Sequence, residues 1–195
     1  MTTDQISEIL KNRKVGIAGC GGLGSNCAVA LARVGMGTLI VADFDVVSTG
    51  NLNRQYYFLD QVGMKKTQAL RDNILRINRQ VEVVMHDIRL TRENIPSIFN
   101  GCDIIVEAFD LAEQKEMIIE TILTEMPSVP LVIGLGMAGW GMNDAIHCRR
   151  SDNLYICGDE ISEISRELPP IAPRVGMVAN MQANVVLEVL LNSEK

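Results

Sequence analysis

The 195-residue sequence predicts an α/β fold, a doubly wound and mostly parallel sheet with a short C-terminal strand set and a buried C-terminal helix. Three observations predict it. Strand-like and helix-like patterns alternate through the first two thirds of the chain. A glycine-rich turn, Gly19-Cys20-Gly21-Gly22-Leu23-Gly24-Ser25, separates the first strand pattern from the first helical one. Asp43 then closes the next strand about 20 residues on, where such a fold places an acid that holds a ribose.

Taken in order, Lys14–Ala18 is an apolar strand and the glycine turn opens a helix that runs to Val34. Thr38–Ala42 is the second strand, followed by an irregular polar stretch through Asp60. A helix from Met64 to Asn78 carries Leu70, Ile74 and Ile77 on one face, and Val81–His86 is a further strand. Thr91–Asn100 reads as a short helix capped by Thr91, with Asn94 three residues on. Asp103–Glu107 is a buried strand bounded by Gly101 and Asp110, and Leu111–Met126 is helical. Pro127 and Pro130 bracket the approach to the strand Leu131–Gly134. Gly136, Gly139 and Gly141 then lead to Ala145–Arg149, a strand in the second, smaller set. Asn153–Ser165 reads as a polar loop. After Pro169, Pro170 and Pro173, the segment Arg174–Leu191 is apolar nearly all round. A helix of that kind is covered on every side, as a core helix or as a subunit interface, and Asn180 and Asn184 on one face need partners if buried.

Composition narrows the class. The length fits a single domain over residues 1–195, and 47% hydrophobic residues with 16 glycines suit an α/β protein. A formal charge of −6 argues against nucleic acid as a partner, so an anionic ligand requires local cations. The N-terminus has no apolar signal core and no stretch approaches 18 uninterrupted apolar residues, which predicts a cytoplasmic protein without a membrane span. Five cysteines form no C-x-x-C pair, so no structural zinc is expected. Cys20, Cys27, Cys102 and Cys148 read as small buried hydrophobes, whereas Cys157, inside the polar stretch, reads as exposed. His86 and His147 are single histidines in strand patterns and read as structural.

Gly19, Gly21 and Gly24 form a G-x-G-x-x-G turn of Rossmann-like type, a signal shared by nicotinamide and flavin enzymes. Its neighbours are more informative. The run from Asp43 to Gln55 sets Asp43 and Asp45 at a strand's carboxyl end, then Asn51, Asn53 and Arg54 in a loop over the same crevice. Arg54 in that place either grips phosphate oxygens or pairs with Asp43 or Asp45. Lys65 and Lys66 open a helix against its dipole, which a triphosphate nearby explains and local stability does not. Asp110, just past a buried strand, is placed to hold magnesium, to cap the next helix, or both.

This set, Gly19–Ser25, Asp43-Phe44-Asp45, Asn51-Leu52-Asn53-Arg54-Gln55, Gly63-x-x-Lys66 and Asp110, resembles the adenylation domain shared by ubiquitin-activating enzymes and the bacterial ThiF and MoeB proteins. Pro173-x-Val175-Gly176 with Ala179, Gln182, Ala183 and Glu188 resembles that family's final helix, so the similarity covers nearly the whole chain. The short length is most similar to a compact ThiF branch linked to making the thiazole of thiamine. The resemblance implies adenylation, with ATP, of the C-terminal glycine carboxylate of a small ubiquitin-like sulfur-carrier protein (ThiS-like) that ends in Gly-Gly, and a homodimer. It implies that Gly19, Gly21, Gly22 and Gly24 cradle the nucleotide, Asp43 holds the ribose with Asp45 and Asn51 in the polar shell, Arg54 and Lys66 neutralise phosphates, and Asp110 orients magnesium.

Three departures accompany it. The paired C-x-x-C zinc motifs of larger members are missing, so the crossover region is held by other means or is more mobile. The segment before the first strand is short, with Arg13 the nearest arginine, and no cysteine other than Cys157 offers itself as a nucleophile. Two other classes compete: an NAD(P)-binding oxidoreductase, which Arg54, Lys66 and Asp110 speak against, and a non-catalytic carrier-binding subunit, which has no use for that polar set.

Overall fold

Because side chains alternate across a strand, the apolar runs bury on both faces of one sheet. The computed structural model describes residues 1–192. Strands β1 (Lys14–Ala18), β2 (Thr38–Ala42), β3 (Glu82–His86), β4 (Ile104–Glu107), β5 (Leu131–Gly134), β6 (His147–Ser151) and β7 (Leu154–Gly158) form one sheet in the order β3-β2-β1-β4-β5-β7-β6. Every pairing is parallel except that of β6 with β7. Helices α1 (Thr3–Leu10), α2 (Gly22–Arg33), α3 (Lys66–Ile77), α4 (Ile95–Ile98), α5 (Ala112–Glu125) and α6 (Ala172–Asn192) complete the fold. Val15, Ile17, Ile104, Val106 and Val132 join α2, α3 and α6 in one core, while Ile105, Leu131 and Ile133 join α4 and α5 in the other.

The register leaves Ala18 of β1 level with Ala42 of β2 and Glu107 of β4. From β1 the chain builds outward through β2 and β3, then returns to add β4 and β5 on the other side. The strand order therefore reverses between β1 and β4, which opens a crevice above their carboxyl ends. The glycine turn lies at that opening. Gly19 has φ +97°, and a Cβ on it would meet the Ala108 carbonyl oxygen at 2.9 Å. Gly24 lets α2 descend directly onto the Gly19 carbonyl, with which any larger side chain would collide.

Four elements differ from the sequence reading. The N-terminal segment forms α1, started by a capping box in which Thr2 and Gln5 bond each other's backbone N–H groups. The predicted helix Thr91–Asn100 contracts to α4, because the Asn94 side chain accepts the Thr91 N–H at 2.8 Å and closes a turn, and Pro96 is accepted only in a first turn. Ala145 belongs to a 3₁₀ turn, Asn143–Ala145, so β6 starts at His147. Within the stretch read as a polar loop, Leu154–Gly158 forms β7, an internal strand between β5 and β6.

That last difference exchanges the environments of two thiols. Cys157 is fully buried in the core beneath α6, and its register partner Cys148 lies exposed on the edge strand β6. Helix α6 is a core helix: it packs mainly on α2 and also on β5 and β7. It is long and apolar enough to cross a membrane by length and composition, as a buried core helix also is. Its exposed stripe is Met177, Asn180, Asn184 and Glu188, so neither asparagine needs a buried partner. A soluble thiol reagent is expected to titrate one cysteine per native chain, Cys148, and all five after denaturation; a Cys148→Ser variant with an unchanged native count would contradict this placement.

Candidate functional site

The crevice above β1, β2, β4 and β5 has a volume of about 870 Å³. Gly19, Gly21, Gly22, Asp43, Asp45, Arg54, Lys66 and Asp110 all line it, so the fold gathers the predicted set from five separate segments. Gly24 lies in α2, packed against Gly19. Asn51 stands outside the lining. Its side-chain oxygen accepts the Ser48 N–H at 2.9 Å and its carbonyl accepts the N–H groups of Arg54 and Gln55, so it folds the loop that carries Arg54.

At the glycine turn, Gly21 is the N-cap of α2 and offers no side-chain cap, leaving backbone N–H groups for an anion. Asp43 ties this turn to β2: one carboxylate oxygen accepts the Cys20 N–H at 2.6 Å and the other the Asp45 N–H at 2.8 Å. A carboxylate has about four acceptor sites, so Asp43 retains capacity for ligand hydroxyls.

The two lysines separate in role. Lys65 lies half exposed beside Asp87 at 3.2 Å, whereas Lys66 is buried with its ammonium 2.7 Å from Asp45. Two further ammonium protons remain for a ligand. Arg54 has no carboxylate partner among the described residues; it donates to the Asn53 side chain at 2.8 Å and to the Gly50 carbonyl at 3.4 Å. The expected alternative of a pair with Asp43 or Asp45 is therefore replaced by a cation whose charge is uncompensated.

Asp110 does not cap α5, since Leu111 occupies the N-cap, and it forms no hydrogen bond or ion pair among the described residues. The described residues hold no group of three or more metal-ligating side chains. One unengaged carboxylate at the crevice fits a magnesium ion bound mostly through phosphates and waters and does not fit an all-protein cage.

Several residues at the crevice had escaped the sequence reading. The buried Tyr57 hydroxyl donates to the Cys20 carbonyl at 2.7 Å and so fixes the glycine turn from the loop side. Gln55, named in the motif without a role, lines the crevice with its buried side-chain oxygen unpartnered. Arg89 stacks over the Phe44 ring at 5.3 Å at the crevice edge. Glu107 is fully buried at the end of β4, and Lys115 of α5 donates to both of its oxygens at 2.7 Å and to the Gly134 carbonyl at 3.0 Å. Burial pushes the Glu107 carboxyl up, and Lys115 with the Phe109 N–H pulls it back. An acid closing an otherwise apolar strand was a visible signal that a cation had to meet it.

A glycine turn at a strand-order reversal, strand-end acids and converging cations define a nucleotide-binding α/β protein. The chain belongs to the ThiF family, whose profile matches residues 2–195. It is 33% identical over 187 residues to the adenylyltransferase and sulfurtransferase MOCS3 of Caenorhabditis briggsae, covering 92% of this chain and 46% of that protein. It is 28% identical over 188 residues to the molybdopterin-synthase adenylyltransferase of Salmonella typhimurium, covering 94% and 75% respectively. The chain thus spans about half the length of MOCS3. Its fold matches E. coli tRNA N6-threonylcarbamoyladenosine dehydratase, TcdA, in complex with AMP, with a TM-score of 0.88 at 19% identity over 97% of this chain and 90% of that one. It also matches E. coli MccB with AMPCPP and MccA, with a TM-score of 0.74 at 23% identity over 96% and 58%.

Removing Lys115 as Lys115→Met is expected to destabilise the fold by about 3–5 kcal/mol near neutral pH, because Glu107 is left buried without its cation. Pairing it with Glu107→Gln should recover most of that loss in urea unfolding. In the single variant the Glu107 carboxyl is raised above its unfolded value, so stability falls as pH rises through its folded pKa and the deficit narrows in acid. A deficit independent of pH would contradict the pairing.

Proposed function

We propose that the chain is an adenylyltransferase that transfers AMP from ATP to the C-terminal glycine carboxylate of a small ubiquitin-like sulfur-carrier protein. The observation that carries this reading is the convergence of Arg54, Lys66 and Asp110 on the glycine turn in one crevice. A hydride-transfer site has no need for two phosphate-directed cations and a free carboxylate there. The names of the relatives support the reading, as do TcdA structures with AMP and with ATP and the MccB complex with MccA.

The chemistry joins two anions. A carboxylate oxygen attacks the α-phosphorus, the bond from that phosphorus to the bridging oxygen of the β-phosphate breaks, and pyrophosphate leaves with the electron pair. No general base is required, because a terminal carboxyl with a pKa of about 3.3–3.7 is already ionised. Catalysis is therefore alignment and charge compensation. The N–H groups of the glycine turn and the α2 start hold phosphate oxygens, and Asp43 accepts from ribose hydroxyls. Arg54 brings uncompensated charge to the phosphates from the loop, and Lys66 adds its remaining donors from α3. Magnesium, held by Asp110 with the phosphates, would supply further charge neutralisation.

For the carrier we infer a ThiS-like protein, which sets the reaction in the making of the thiazole of thiamine. The likeness to the compact ThiF branch supports this choice, and the relative named for molybdopterin synthase supplies the competing carrier for the test. Radiolabelled pyrophosphate is expected to exchange into ATP only when a carrier ending in Gly-Gly is present, and most efficiently with a ThiS-like one. Exchange that never occurs, or that ignores the carrier, would sink the adenylation reading; tight NAD binding without ATP binding would replace it by the oxidoreductase. Arg54→Ala and Asp110→Ala are each expected to lower exchange by about 10²–10³-fold with the circular dichroism spectrum retained. Near-normal exchange in either would remove that residue from the mechanism.

A further inference from the structure

The crevice has two ends. The nucleotide end is built by the glycine turn, the β2 end and Asp110, and the far end is walled by residues 134–137, from the last residue of β5 onward, and 162–164 between β7 and α6. Little regular structure supports that wall, and the segments that carry it pass through the left-handed residues Met142 and Glu160, which lie outside the lining. Backbone hydrogen bonds from the Asp159 N–H to the Gly136 carbonyl at 3.1 Å and from the Glu160 N–H to the Leu135 carbonyl at 3.0 Å join the wall's two sides, and one buried ion pair ties both to α6. Arg174, at the start of α6, donates to the Asp159 carboxylate and to the Gly141 carbonyl; the two side chains are only 3% and 1% exposed.

The other Asp159 oxygen accepts the N–H groups of Ile161 at 2.9 Å and Ser162 at 2.7 Å. The Ser162 hydroxyl in turn accepts the Ala138 N–H at 3.1 Å. Both sides of the wall and the last helix therefore meet at one buried carboxylate. Gly136 is packed so closely against it that a Cβ would collide with the Asp159 oxygen. Burial pushes the Asp159 carboxyl up, but the Ser162 and Ile161 N–H groups and Arg174 outweigh this and hold it down to about 2. A buried ion pair is a weak source of stability compared with a packed apolar replacement, so its fixed geometry is the more telling property.

Neither Asp159 nor Arg174 lines the crevice, so the pair acts only through the wall. With the phosphates at the glycine turn, a carboxylate that attacks the α-phosphorus opposite the departing pyrophosphate reaches it along the remaining lining, the far end. In the same two segments, outside the lining, Trp140, Met142 and Ile161 are 69%, 65% and 73% exposed, which suits a protein partner. We propose that Asp159 and Arg174 are positioning residues for the second substrate, fixing the wall along which the carrier's tail enters. This rests on the adenylation reading and supplies the other means of holding the crossover that the missing zinc motifs call for.

The test uses Asp159→Asn and Arg174→Lys in the full chain. Amide exchange of Ala138, Ile161 and Ser162 is expected to accelerate by about tenfold or more while β1 and α2 keep their protection. In pyrophosphate exchange, the KM for the carrier is expected to rise by about tenfold with the KM for ATP within about twofold. If Asp159→Asn does not fold, Arg174→Lys, which keeps a cation and loses the planar fork, carries the same measurements. An unchanged carrier KM in a folded variant, or carrier and ATP values rising together, would overturn the proposal. Wild-type protein that exchanges with no carrier would instead overturn the adenylation reading itself.

Discussion

Two stretches of backbone touch where the strand order reverses, and the remainder of the site is arranged around that contact. The Ala108 carbonyl beyond β4 presses on Gly19, and the Gly19 carbonyl presses on Gly24. No side chain fits between them, so the first turn of α2 is drawn down onto the ends of β1 and β4. Its open N–H groups consequently face the crevice instead of a capping side chain. Asp43 and Tyr57 then hold the turn from two directions, through the Cys20 N–H and the Cys20 carbonyl. The turn is thus pre-shaped by its neighbours rather than by the three glycines alone.

Charge is distributed with the same economy. A chain of net charge −6 must attract an anionic ligand by local means. Lys66 and Lys115 are each neutralised by an acid in the fold, which lets them lie buried or nearly so. Arg54, on a folded loop, has only neutral partners among the described residues. The loop earns its rigidity from Asn51, whose hydrogen bonds return to Ser48 and to the backbone around Arg54.

Much of this was legible in the sequence because the relevant physics is local. Glycines before a helix, acids at strand ends and lysines opposing a helix dipole each declare themselves within a few residues, and Gly19, Asp43, Arg54, Lys66 and Asp110 converge as expected. What stayed hidden depends on distant partners. Tyr57 and Gln55 sat in an apparently irregular polar stretch, and their roles appear only when β1 lies beside them. Asp159 and Arg174 are 15 residues apart with three prolines between them, and nothing in that spacing announces a buried pair. The two misjudged thiols make the same point: Cys148 and Cys157 face each other across two strands, and only sheet order decides which is internal.

The packing of α6 on α2 has a consequence for the order of events during synthesis. Helix α2, whose start lines the crevice, is covered by residues 172–192, so its apolar flank stays open until α6 has been made. A ribosome emitting about 5–20 residues per second leaves that flank uncovered for many seconds. Nascent chains carrying the first three strands therefore keep that flank of α2 uncovered until α6 has been made.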